Sequence, residues 1–208
     1  MTHPVKRRGR PRKNPQSHED TRQLLVRAGL ELLTEQGYVS TGLEQILKKA
    51  GVPKGSFYYY FDSKEAFAKA VLESYDDYFQ HRLKTSLYQA GMSPMARLTD
   101  FVERSIQGME KHQFRRGCLV GNLAQEVVVL PEGFGQQLDD IFTRWEQLVA
   151  DCLEAACQDR ELSDGLDCQA LARFFWIGWE GAVMRARLVG SSEPMQAFYR
   201  GFRQLIQV

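Results

Sequence analysis

Three groups of residues in this chain have types and spacings suited to chemistry. Lys54, Ser56, Tyr58, Tyr59 and Tyr60 crowd an ammonium and several hydroxyls into one short stretch beside Gly55, and these are the groups that contact phosphates. Near the N-terminus, Arg8, Arg10 and Arg12 alternate with Gly9 and Pro11. Glycine and proline keep such a backbone slim and extended, so that arginines can enter a narrow minor groove, as in an AT-hook. Further on, Cys118 follows Arg115 and Arg116 at an expected helix start. A helix N-terminus and nearby guanidinium charge both favour the thiolate, the form that attacks electrophiles. Each group also has a plainer reading: a solvated basic tail, tyrosines packed on a neighbour, and a small buried thiol beside surface arginines.

Other chemistry has no residues to carry it. The four cysteines lack CxxC or zinc-finger spacing and read as reduced thiols of a cytoplasmic protein, with Cys152, Cys157 and Cys168 structural. The four histidines form no HExxH, and neither GxSxG nor a nucleotide-binding glycine loop is present. No catalytic residue, metal or cofactor is therefore expected. A cysteine-dependent enzyme using Cys118 as nucleophile would lack an assignable base. No apolar run is long enough to span a bilayer, and no hydrophobic core follows the basic N-terminus as it would in a secretory signal. A membrane partner is not expected either, because the arm has no apolar face for insertion.

The net charge of +1 conceals an asymmetry. Lys6, Arg7, Arg8, Arg10, Arg12 and Lys13 are six of the 27 basic residues, and no acid precedes Glu19, which leaves 21 basic against 26 acidic residues in the remainder. A basic arm on a mildly acidic body points to a polyanion held at one end.

The elements that must position these groups read as helices throughout. A helix from about 17 to 36 carries Leu24, Leu25, Ala28, Leu32 and Leu33 on one stripe and ends at Gly37. Thr41 and Glu44 suggest a capping box for a helix reaching Ala50. Gly51 and Pro53 then turn the chain into a two-turn helix with Phe57 and Phe61 on its buried side, and Asp62 or Ser63 caps the next helix at Lys64. That helix carries Phe67, Val71, Tyr75 and Tyr78 and runs to about Tyr88. Further helices are expected at 94–112, 118–130, 133–158, 167–188 and 194–207. The small residues Gly178, Ala182 and Ala186 allow another helix close approach, and Phe198, Phe202 and Leu205 stripe the last helix.

Two helices joined at Gly51-Val52-Pro53 make a helix-turn-helix. From Gly51 to Lys64 the chain closely resembles the TetR family of bacterial repressors. The resemblance implies an all-α, TetR-like fold: a flexible arm (1–16), a three-helix helix-turn-helix DNA-binding domain (17–63) and a larger helical effector-binding and dimerisation domain (64–208). It also implies a homodimer joined through its last two long helices, a palindromic double-stranded DNA operator, and release by a small molecule. Thr41, Lys54, Gly55, Ser56, Tyr58, Tyr59, Tyr60 and Lys64 would face the DNA, with Arg8, Arg10 and Arg12 in the minor groove. The segments 114–123 and 175–182 resemble members of the family that respond to acrylate or to other electrophiles. They imply an effector that is an acrylate-like carboxylate or electrophile, held by Arg115, Arg116, Cys118, Trp176 and Trp179, with covalent modification of Cys118 as the alternative. Arg187 stands where an electrophile-sensing member has lysine, a departure that weakens any lysine-dependent redox mechanism.

Overall fold

The computed structural model describes residues 15–206. Among them every regular element is helical: α1 (Pro15–Gln36), α2 (Leu43–Ala50), α3 (Lys54–Tyr60), α4 (Lys64–Leu87), α5 (Pro94–Lys111), α6 (Leu119–Gln125), a 3₁₀ turn (Val127–Val129), α7 (Phe134–Gln158), α8 (Cys168–Val189) and α9 (Glu193–Ile206). The first three helices form a small head, and α4 leads from it into a body built by α5 to α9.

Local chemistry explains the head. Gly37 turns α1 off with φ of 81°, and Gly51 ends α2 in the left-handed region at φ 66°. Gly51 N–H donates to Lys48 O at 3.3 Å and Val52 N–H to Leu47 O at 3.0 Å, the paired bonds of a Schellman motif. Pro53 launches α3, Phe61 stops it in extended backbone, and Ser63 Oγ accepts from Ala66 N at 3.0 Å to start α4. Phe57, Phe61 and Phe67 pack ring on ring with centroids 5.0 to 5.5 Å apart, and all three are buried. That cluster holds a helix too short to persist alone.

Several expectations are corrected. The N-cap of α2 is Gly42, not Thr41: Gln45 Oε1 accepts from Gly42 N at 3.1 Å, while the Thr41 hydroxyl turns inward and donates to Gly37 O at 2.6 Å. The segment expected as one helix over 118–130 is a seven-residue helix followed by a 3₁₀ turn. Three consecutive β-branched valines fit a helix poorly, and Glu126 leaves the helix where its carboxylate accepts from Tyr38 N in the head. Leu24, Tyr78 and Leu205, placed on buried stripes by spacing, are exposed.

In the body, α7, α8 and α9 pack side by side, and α4 lies against α5 and α7. Asp76 on α4 accepts from Trp145 Nε1 at 2.9 Å and from Arg144 Nη2 at 2.7 Å, which fixes α4 to α7. Around this pin, Phe79, Trp145 and Trp176 pack with their rings tilted by 41° and 42° and centroid separations of 4.3 and 5.1 Å. Gly178 lies beneath the Phe198 ring, where a Cβ would collide, so the small-residue face of α8 serves packing of α9 within the chain.

Candidate functional sites in the head and the body

On α3, Lys54, Gly55, Tyr58 and Tyr59 are exposed, and Ser56 and Tyr60 are half-buried. Nothing stands near the place a Gly55 Cβ would occupy, so the helix start is open to close approach. Tyr59 leans edge-on against Tyr60 with centroids 5.1 Å apart. The arrangement presents an ammonium and aromatic hydroxyls on one outward face.

Two of the expected DNA contacts are placed otherwise. Thr41 is fully buried, and its hydroxyl secures the turn. Lys64 is half-buried, with its Nζ donating to Tyr38 O at 2.8 Å and lying 4.2 Å from the Tyr38 ring centroid. Burial lowers its pKa. Its ammonium therefore fastens the end of α1 to the start of α4. Arg8, Arg10 and Arg12 lie outside the described residues.

The body holds two cavities that meet at Glu180. The smaller, about 380 Å³, is bounded by α1, α4, α5, α8, α9 and the loop before α6, and its wall includes Arg82, Lys111, His112, Arg116, Cys118 and Trp179. Its apolar lining comes from Leu30, Phe79, Met109, Val183 and Met195. The larger, about 730 Å³, is lined by Trp176, Phe142, Ile177 and Met184 together with Asp139, Glu146 and Arg173. Of the five residues expected at one effector site, Arg116, Cys118 and Trp179 share the smaller cavity. Trp176 faces the larger one, and exposed Arg115 lines neither.

The expected activation of Cys118 is reversed. Cys118 is the N-cap of α6, its Sγ accepting from Gly121 N at 3.5 Å, yet burial pushes its thiol well up and the neighbouring Glu180 adds to the shift. Desolvation of the thiolate outweighs the helix terminus. Arg116, expected to assist, is engaged elsewhere: its Nε is 3.0 Å from Glu35 Oε1 and its Nη2 is 3.1 Å from Glu31 Oε2. The loop delivering it holds Gln113 and Phe114 at φ of 51° and 56°, left-handed backbone that non-glycine residues seldom adopt.

Glu180 was missed by sequence reasoning. Burial pushes its carboxyl up to about 7, against a hydrogen bond with Cys118 that lowers it. Gly121 makes room for this carboxyl, since a side chain there would overlap it. A clue was present: Glu180 is the single charge within the apolar run from Phe174 to Val183. Arg187 was also missed as a tether. Its Nη1 donates to Asn122 Oδ1 at 2.9 Å and its Nη2 to Glu35 O at 3.0 Å.

Residues 25–71 match the family described as bacterial regulatory proteins, tetR family, and residues 94–202 match the tetracyclin repressor-like C-terminal domain. This chain is a TetR-family regulator. The TetR-family assignment extends along almost the whole length: the transcriptional regulator AcuR of Cereibacter sphaeroides is 47% identical over 94% of this chain and 89% of its own. The repressor NemR of Escherichia coli K12 is 32% identical over 88% of this chain and 92% of its own. Among solved structures, a regulatory protein TetR from Rhodobacter sphaeroides superposes with a TM-score of 0.88 at 46% identity, covering 89% of this chain and 98% of that one. The reduced form of Escherichia coli NemR gives 0.82 at 30% identity, covering 90% and 97%. This TetR-family chain has the fold of a DNA-binding transcriptional regulator, not that of an enzyme. No helix among its described residues is long and apolar enough to cross a membrane, and no cluster there could hold a metal ion.

Proposed function

We propose that two copies of this regulator, in the bacterial cytoplasm, grip a palindromic operator through their α3 helices and let go when a small carboxylate of the acrylate kind enters the smaller cavity. Lys54, Gly55, Ser56, Tyr58, Tyr59 and Tyr60 make the groove contacts, and Arg8, Arg10 and Arg12 of the arm take the adjoining minor groove. Thr41 and Lys64 support the head from within. Phe174, Ile177, Met184 and Leu188 recur along one exposed face of α8, and an apolar stripe of this kind marks a protein contact. Pairing α8 and α9 with their own copies gives a four-helix seam and two reading heads related by a twofold axis, hence the palindrome.

The observation that carries the effector reading is the smaller cavity itself. Its apolar lining suits a short carbon chain, and Arg82, Lys111 and Arg116 in the same wall suit one carboxylate. Reversible pairing is the first reading, because the Cys118 thiol is pushed up rather than down. Covalent addition at Cys118 is the second, favoured by the thiol's place in that wall.

The test is fluorescence anisotropy on the DNA upstream of the gene, with acrylate titrated into wild type and Cys118→Ser. Release of both variants supports reversible pairing. Release of wild type alone moves the conclusion to a thiol adduct, which mass spectrometry would register. Retention of both variants on DNA would remove the carboxylate from consideration.

A further inference from the structure

We infer that Arg116 is shared between the effector cavity and a latch holding the head on the body, so that a carboxylate bound in the cavity opens the latch. The inference rests on the carboxylate reading above and states how that site acts.

The latch is a set of bonds closing on the last turn of α1. Arg116 reaches Glu35 Oε1 at 3.0 Å and Glu31 Oε2 at 3.1 Å. Asn122 Nδ2 donates to Thr34 O at 2.9 Å, Arg187 Nη2 to Glu35 O at 3.0 Å, and Glu126 Oε2 accepts from Tyr38 N at 2.6 Å. The open carbonyls of a helix end need partners, and here α6 and α8 supply them. The same turn connects to the reading unit: Lys49 on α2 lies 2.7 Å from Glu31 Oε2, and Lys64 at the start of α4 donates to Tyr38 O.

Arg116 and Thr34 of this set also border the cavity, and Arg116 is the charged one of the two. Its pairs with Glu31 and Glu35 are part-exposed, with side-chain exposures of 25 to 30%, so each is weak and can be exchanged. A ligand carboxylate in the cavity offers the same fork geometry. Glu31 keeps Lys49 when Arg116 turns away, whereas Glu35 gives up its ion pair with Arg116. The exchange therefore costs little and falls on the α1 end. Gly117 and Cys118 follow Arg116 directly into α6, and a side chain on Gly117 would meet the Arg187 stem. A shift of Arg116 thus reaches Asn122 and Arg187, the next two tethers. Because ligand and operator draw on opposite sides of one equilibrium, weakening the latch favours ligand binding and disfavours the operator-competent state.

The experiment compares wild type with the Glu31→Gln/Glu35→Gln double variant in two titrations: acrylate by calorimetry and operator DNA by anisotropy. Both changes preserve shape at part-exposed positions, and thermal unfolding checks that the variant is folded. The expected result is acrylate binding tightened about three- to tenfold and operator binding weakened. Glu126→Gln, which weakens a different tether without touching the cavity, is expected to move both affinities in the same directions by a smaller factor. If wild type binds acrylate and is released by it, but the double variant's acrylate affinity is unchanged, the latch is overturned and the carboxylate site stands. Wild type that binds no acrylate in the calorimeter would sink the site and the latch together.

Discussion

Helices α3 and α6 have the same length, seven residues each, and the fold uses them in opposite ways. Neither is long enough to hold itself together in water. α3 buries Phe57 and turns Tyr58, Tyr59 and Lys54 outward. α6 buries Leu119, Val120, Gly121 and Leu123 and spends one of its two polar residues, Asn122, on the end of α1. The glycines repeat the contrast: Gly55 faces open space, and Gly121 makes room for the Glu180 carboxyl. A short helix can thus be a surface presented to another molecule or a connector wired between two parts of the same one. What distinguishes them is how many of its side chains the neighbours claim.

The largest test of this difference is Leu123→Ala on α6. Leu123 is completely buried, so truncation should cost about 2 to 5 kcal/mol, read as a lowered denaturation midpoint at fixed protein concentration. The matching change on α3, Tyr58→Ala, should stay within about 0.5 kcal/mol of wild type. Equal losses at both sites would erase the contrast.

Next is the pH dependence that α6 inherits from Glu180. Its carboxyl is raised to about 7 from an ordinary value of 4.5, so the folded state holds this proton more tightly than the unfolded chain. Its contribution to stability is fully present below about pH 4.5 and is lost as pH rises through about 7. Glu180→Gln should remove that slope and leave the variant more stable than wild type at pH 8 by about 1 to 3 kcal/mol. Parallel curves from pH 5 to 8 would mean that the carboxyl is better solvated than its surroundings indicate.

Smaller effects belong to α3 and appear in DNA binding rather than in folding. Lys54→Ala should weaken operator binding by about 1 kcal/mol and reduce the salt slope by about one ion, with the dimer intact. Gly55→Ala should change stability by less than about 1 kcal/mol in the favourable direction, since the added methyl meets nothing and alanine suits a helix better. Any loss of operator affinity in that variant then measures how closely the helix approaches DNA.

The two short helices were unequally legible in the sequence. The position and two-turn length of α3 could be read from the chain, because Gly51, Pro53, Phe61 and Ser63 act on their immediate neighbours. α6 was overextended to residue 130, because its end depends on Glu126 accepting from Tyr38, 88 residues earlier. Thr41 was misjudged for a related reason. A Thr-x-x-Glu spacing resembles a cap, but a buried hydroxyl took the nearer Gly37 carbonyl and left the role to Gly42 and Gln45. Around the smaller cavity, residue types pointed to Arg116, Cys118 and Trp179, which do line it, but not to Glu180 or to the nearby tether Arg187.

The sequence alone determined the helical class, the helix-turn-helix block and the outward face of α3, because turn residues, caps and hydrophobic spacing work over one or two turns and need no distant partner. Tertiary structure alone decided which charges meet. Arg116 lies 81 residues from Glu35, and Glu180 comes from α8 to stand beside the Cys118 thiol. The direction in which that thiol is pushed followed from burial and from Glu180, neither of which the residues next to Cys118 in the chain reveal.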